Sequence, residues 1–110
     1  MNTTTAATIK LEALLDIDGF ISDPDAWNDD IARMIAHYDG LPELTRDHWL
    51  VIRALRDHYH RFGTAPPAFS HICNAHHLGK HCVENLFRSE REAWRIAGLP
   101  DPGEEAKSYM

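Results

Sequence analysis

The 110-residue chain has only two cysteines, Cys73 and Cys82. Two thiols do not make the disulfide framework that holds small secreted domains together. No apolar run approaches the ~20 residues that a membrane span requires. The opening stretch MNTTTAATIK lacks the basic region and apolar core of a secretory signal. Both absences lead us to expect a cytoplasmic protein. Basic residues are scarce as well: 11 Lys and Arg face 17 Asp and Glu, for a formal net charge of −6. That balance argues against non-specific nucleic-acid binding, which needs basic surface to displace counterions. It argues equally against docking on an anionic membrane face. There is no Gly-rich phosphate loop, no Gly-x-Ser-x-Gly elbow and no pair of catalytic carboxylates. The tail after Gly98 carries neither cysteine nor histidine.

What remains is an ordinary soluble composition, 44% hydrophobic and 25% charged, of a length that suits one domain with a modest core. Residues 1–8 read as a disordered lead, 9–102 as the domain and 103–110 as a C-terminal tail. In TIKLEALLDIDGFI the Asp18-Gly19 pair between two apolar runs predicts a small β-hairpin. Asn28 is the expected N-cap of a helix whose stripe is Ile31, Met34, Ile35 and Tyr38. Thr45 is expected to cap the longest helix, RDHWLVIRALRDHYHRF, with Trp49, Ile52, Leu55, Tyr59 and Phe62 on one face and Gly63 beyond its end. Pro66 and Pro67 open a third helix that stops near Gly79. A short fourth helix carries Val83, Leu86 and Phe87. Ser89 and Glu92 form a capping box for a fifth that ends at Gly98.

The densest cluster of donor groups is CNAHHLGKHC. Cys73 and His77 lie four apart on one predicted helix face, and Cys82 or His81 would complete a four-ligand zinc site. The spacing matches no established zinc pattern. The plainer reading is two buried apolar cysteines among partly solvated histidines; a redox pair between Cys73 and Cys82 is a further alternative. The long helix carries Arg46, Arg53, Arg56 and Arg61 with Asp47 and Asp57, read as a solvated face of local ion pairs in preference to a phosphate site. The third and fourth helices have the layout of a helix-turn-helix. The second of them offers only Lys80, His81 and Arg88, too few groups suited to reading base edges.

The motifs DIDGFI, Trp27, DGLPELTRDHWLVIRALRDHYHRFGTAP and Ala97-Gly98-Leu99-Pro100 with Pro102, taken in order, resemble the DsrC/TusE family. These are the gamma-subunit-like proteins of dissimilatory sulfite reductase and of the sulfur relay for tRNA thiolation. The resemblance spans roughly residues 9–105. It implies an α+β, predominantly helical fold: a small N-terminal β-hairpin or meander packed on an orthogonal bundle of about five helices, with a C-terminal arm. Sulfur-carrying members bear a penultimate cysteine on that arm, with a second cysteine, where present, eleven positions earlier. Counted from Ala97-Gly98-Leu99-Pro100, those positions are Glu105 and Trp94 here. Two basic positions after the family's Thr-Ala-Pro correspond to Phe69 and Cys73. A carboxylate accepts no persulfide sulfur and an indole offers no thiolate.

The resemblance therefore implies an accessory protein that binds through an arm of Gly98, Leu99, Pro100, Pro102 and Glu105 without carrying sulfur. Its partner would be a protein of the sulfur-relay or sulfite-reductase type, and no cofactor is expected. The alternatives are a thiol carrier or zinc protein built on Cys73, His77 and Cys82, and a helix-turn-helix regulator.

Overall fold

The computed structural model describes residues 11–110. The expected disordered lead over 1–8 lies outside the described residues. Six α-helices follow a short 3-10 turn at Pro24–Ala26: α1 (Asp29–Tyr38), α2 (Arg46–Phe62), α3 (Ser70–Ala75), α4 (Cys82–Phe87), α5 (Glu90–Ile96) and α6 (Glu104–Lys107). No helix among the described residues is long and apolar enough to cross a membrane.

The helix starts follow their caps. The Asn28 side chain accepts from the Ile31 N–H at 3.0 Å, and the Ser89 hydroxyl accepts from Glu92 N–H at 3.0 Å. Each satisfies a donor that the first turn of a helix leaves unpaired. At Thr45 the partner is His48. Its Nδ1 accepts from the Thr45 N–H at 2.9 Å, and its Nε2 lies 2.8 Å from the Leu86 carbonyl. An amide can only donate and a carbonyl can only accept, so these contacts fix a neutral ring with its proton on Nε2. Among the described residues His48 is the one buried polar side chain, packed edge-on against Phe87, and it ties the start of α2 to the end of α4.

The expected β-hairpin is reduced to a single antiparallel bridge, Leu15 with Ile21. The turn itself forms: Gly19 N–H donates to Asp16 O, and Asp16 Oδ1 accepts from the Asp18 and Phe20 amides. No ladder extends from it, because residues 11–14 are helical. The stretch Leu11-Glu12-Ala13-Leu14 is made of strong helix formers, and that preference overrides the approximate alternation. The third helix is also shorter than expected. Pro67 disfavours the helical region for Pro66 before it, and helix starts only at Ser70. It ends where His77 turns left-handed, at φ 57°.

The core forms around Trp94, Phe20, Phe87, Ile52 and Leu55, all fully buried. The buried face of α2 runs through His48, Val51, Ile52 and Leu55. It is rotated from the expected stripe, leaving Phe62 64% exposed, and Tyr38 of α1 is likewise 60% exposed. Arg88, a basic candidate on the second helix of the helix-turn-helix reading, instead caps α4. Its guanidinium donates to the Asp39 and Gly40 carbonyls.

Candidate functional site: the C-terminal arm and its seat

The segment after α5 is bound to the body along most of its length. Ala97 and Leu99 are buried. Gly98 adopts φ 68°, and a Cβ there would fall 1.9 Å from Cδ1 of Trp27. Only glycine fits both the backbone and the space. The Trp27 indole N–H donates to the Ile96 carbonyl at 2.9 Å, and the Trp94 indole N–H to the Pro100 carbonyl at 2.7 Å. Arg56 completes the seat. Its Nη1 donates to the carbonyls of Ala97 (2.8 Å) and Gly98 (3.3 Å), while its guanidinium stacks 3.9 Å above the Trp27 ring. Burial, then neighbouring Arg53, lower its pKa from the ordinary arginine value. The end of α5 thus leaves carbonyls without helical partners, and a cation from α2 takes them up.

Beyond Pro100 the chain turns back on itself. Asp101 Oδ1 accepts from the Gly103 amide, and α6 follows. Lys107 lies in reach of three carboxylates: Asp18 at 3.0 Å, Asp101 at 2.9 Å and Glu104 at 2.9 Å, with its side chain 12% exposed. Those bonds raise the Lys107 pKa, and the bond from Lys107 lowers that of Asp101. The tail is thereby clipped to the Asp18-Gly19 turn at the other end of the chain. The same turn receives Arg91 at the Asp18 carbonyl and Arg95 at the Gly19 carbonyl. Arg95 also bridges Asp39 and Glu92. Burial first, and Asp39 beside it second, push the Glu92 carboxyl up to about 8.

Of the residues expected to form the site, Gly98, Leu99 and Pro100 lie in this seat, while Glu105 is exposed on α6. Trp94 is wholly buried, edge-on to Tyr59 and Phe69 at 6.0 and 6.3 Å between ring centres. Cys73 and Cys82 are joined in a disulfide with their Cα atoms 5.7 Å apart. The two sulfurs are bonded to each other and are not two free thiols. Bonded sulfurs are not thiolate ligands, and His77 is turned to solvent beyond the end of α3. No three His, Cys, Asp or Glu side chains converge as a metal site among the described residues. The arginines of α2 are divided. Arg61 makes the expected local ion pair with Asp57, Arg53 instead pairs across to Asp29 of α1, and Arg56 is bound to backbone carbonyls of the arm. Lys107 and Arg56 were the residues whose roles the sequence did not expose; a basic residue in an acidic tail was the one available sign of the first.

A small helical protein in which α5 leads into an Ala-Gly-Leu-Pro arm seated on the body is the class these observations define. Residues 8–104 match the family model described as DsrC like protein, and the chain belongs to that family. It is 33% identical over 100 residues to a protein named sulfurtransferase TusE homolog from Haemophilus influenzae, covering 84% of this chain and 91% of that one. With sulfurtransferase TusE of Escherichia coli K12 it shares 30% over 95 residues, covering 79% and 86%. Among solved structures it is similar to the oxidized gamma-subunit of dissimilatory sulfite reductase (DsrC) from Archaeoglobus fulgidus. There the TM-score is 0.70 at 34% identity, covering 81% of this chain and 88% of that one. The NMR structure of Allochromatium vinosum DsrC gives 0.68 at 29%, covering 81% and 86%.

Proposed function

We propose that this chain is a partner-binding member of the DsrC/TusE sulfur-relay family that does not itself carry sulfur. Residues 9–102 form its body and 103–110 its tail. It acts in the cytoplasm, without a cofactor, as a competitor or regulator at a protein of the sulfur-relay or sulfite-reductase type. The observation that carries the reading is the state of the arm. Its Ala97-Gly98-Leu99-Pro100 stem is seated on Trp27 and Arg56, residues 101–110 include no cysteine, and counting from the stem the family's reactive cysteine position falls on Glu105 in this reading. Neither remaining cysteine replaces it. Both are buried and bonded to each other, and a disulfide sulfur offers no thiolate nucleophile.

The test is competition. A sulfur donor and a cysteine-bearing relative are reconstituted so that sulfur transfer between them is measured, and this chain is then titrated in. The expected result is slower transfer at saturable concentrations with no sulfur label on the added chain. Transfer unaffected at any concentration would reject the binding role, and label on the added chain would reject the non-carrier role.

A further inference from the structure

The disulfide lies in a part of the molecule that the arm does not use. Cys73 and Cys82 join α3 to α4, two helices of six residues each. Isolated helices of that length are unstable in water and depend on what holds them. Among the described residues, no side chain from Ala65 to Asn85 takes part in a hydrogen bond or ion pair. The hairpin is attached to the body by apolar packing through Phe69, Ile72, Cys73, Leu78 and Val83, and the disulfide ties its two helices to each other. The connection at 76–81 is almost entirely exposed and contains two left-handed residues, His77 and Gly79. Segments with few polar ties and an exposed connection open at lower free energy than the core around them.

One wall of a groove depends on this hairpin. Ile72 and Ala75 of α3, with His76 just past its end, face Leu50, Ala54 and Phe62 of α2 across a cleft of about 520 Å³, while Cys73 is buried in the core.

We propose that Cys73–Cys82 is a reversible thiol–disulfide exchange site whose state sets whether α3 is held as the wall of that groove. The chemistry balances with ordinary exchange partners. A dithiol reductant gives up two protons and two electrons. The Cys73–Cys82 bond breaks to two thiols, and the reductant closes its own disulfide. In the reverse direction a low-molecular-weight disulfide takes the two electrons and leaves as two thiols. Opening of the 76–81 connection gives the reagent access to the buried sulfurs. Reduced cysteines remain compatible with the core, because the free thiol is a small apolar side chain. The consequence of reduction is therefore local. This inference is independent of whether the arm binds a partner.

Hydrogen exchange on the full chain, read by peptide mass spectrometry in glutathione buffers of graded oxidation, tests it. Thiol count and exchange are followed together, with the Cys73→Ala/Cys82→Ala double variant alongside. On reduction, exchange within residues 70–85 is expected to rise about tenfold or more, while α1, α2 and α5 stay within about twofold, and reoxidation restores protection. The double variant is expected to match the reduced protein in every buffer. Thiols that stay free in oxidised glutathione would overturn the proposal. So would equal exchange of 70–85 in both states, loss of protection across the whole chain at once, or a double variant that still responds to the buffer.

Discussion

At Gly98 the backbone and a ring compete for the same space. A methyl group there meets Trp27 at less than van der Waals distance, on a residue already left-handed. Overpacking costs about 1–3 kcal/mol and a left-handed non-glycine about 1–2 more. Gly98→Ala is therefore expected to lower unfolding free energy by about 2–5 kcal/mol in urea titration, and to shift the Trp27 fluorescence as the indole moves. A variant as stable as the parent would mean that the arm's seat is not closed. Glu92 makes a second residue-scale statement. Its carboxyl is raised from an ordinary 4.5 to about 8, so between those values the folded chain holds a proton that the unfolded chain has lost. Stability from this group is present in acid and is lost as pH rises through about 8. Glu92→Gln keeps the neutral shape and removes the titration. The difference in thermal midpoint between parent and variant should shift in the variant's favour between about pH 5 and pH 9. Parallel curves would contradict the assignment.

At the scale of elements, what was legible depended on how local the deciding interaction is. The starts of α1, α2 and α5 were written in Asn28, Thr45 and Ser89, because a cap bonds within three residues of itself. The arm's position after Gly98 was legible for the same reason, with Trp94 reaching Pro100 only six residues on. The hairpin failed because Leu11 to Leu14 satisfy a helix better than a strand. The disulfide was one of several open readings, since its nine-residue spacing joins the two cysteines only once α3 and α4 fold back on each other. Lys107 and Asp18, separated by 89 positions, and Arg56 and Ala97, separated by 41, meet only in the assembled fold. The Lys107 clip carries its own prediction. Lys107→Met is expected to speed amide exchange at Lys107 and Ser108, whose N–H groups donate to Gly103 and Glu104, while the urea midpoint barely moves. Unchanged tail exchange would show that the apolar contacts of Ala106 hold α6 by themselves.

For the whole molecule, the family fold is kept, and the arm under the proposed function binds without carrying sulfur. The net charge of −6, the helical body and the family match over 8–104 agree with a protein that works on protein partners. The family was legible because its motifs are spread along the chain, from the Asp18-Gly19 turn through α2 to the arm after α5. The proposal that Glu105 stands at the carrier position rests on those motifs alone, because a glutamate in an exposed tail has no signature of its own. In the structure Trp94 and Phe69 are packed buried aromatics, and Cys73 and Cys82 are bonded to each other. The most direct test is the intact mass of the native, oxidised chain after incubation with a persulfide donor, beside a cysteine-bearing relative treated in the same way. The relative gains sulfur and this chain is expected to gain none. A sulfur atom added to this chain, and lost in Cys73→Ser or Cys82→Ser, would contradict the account.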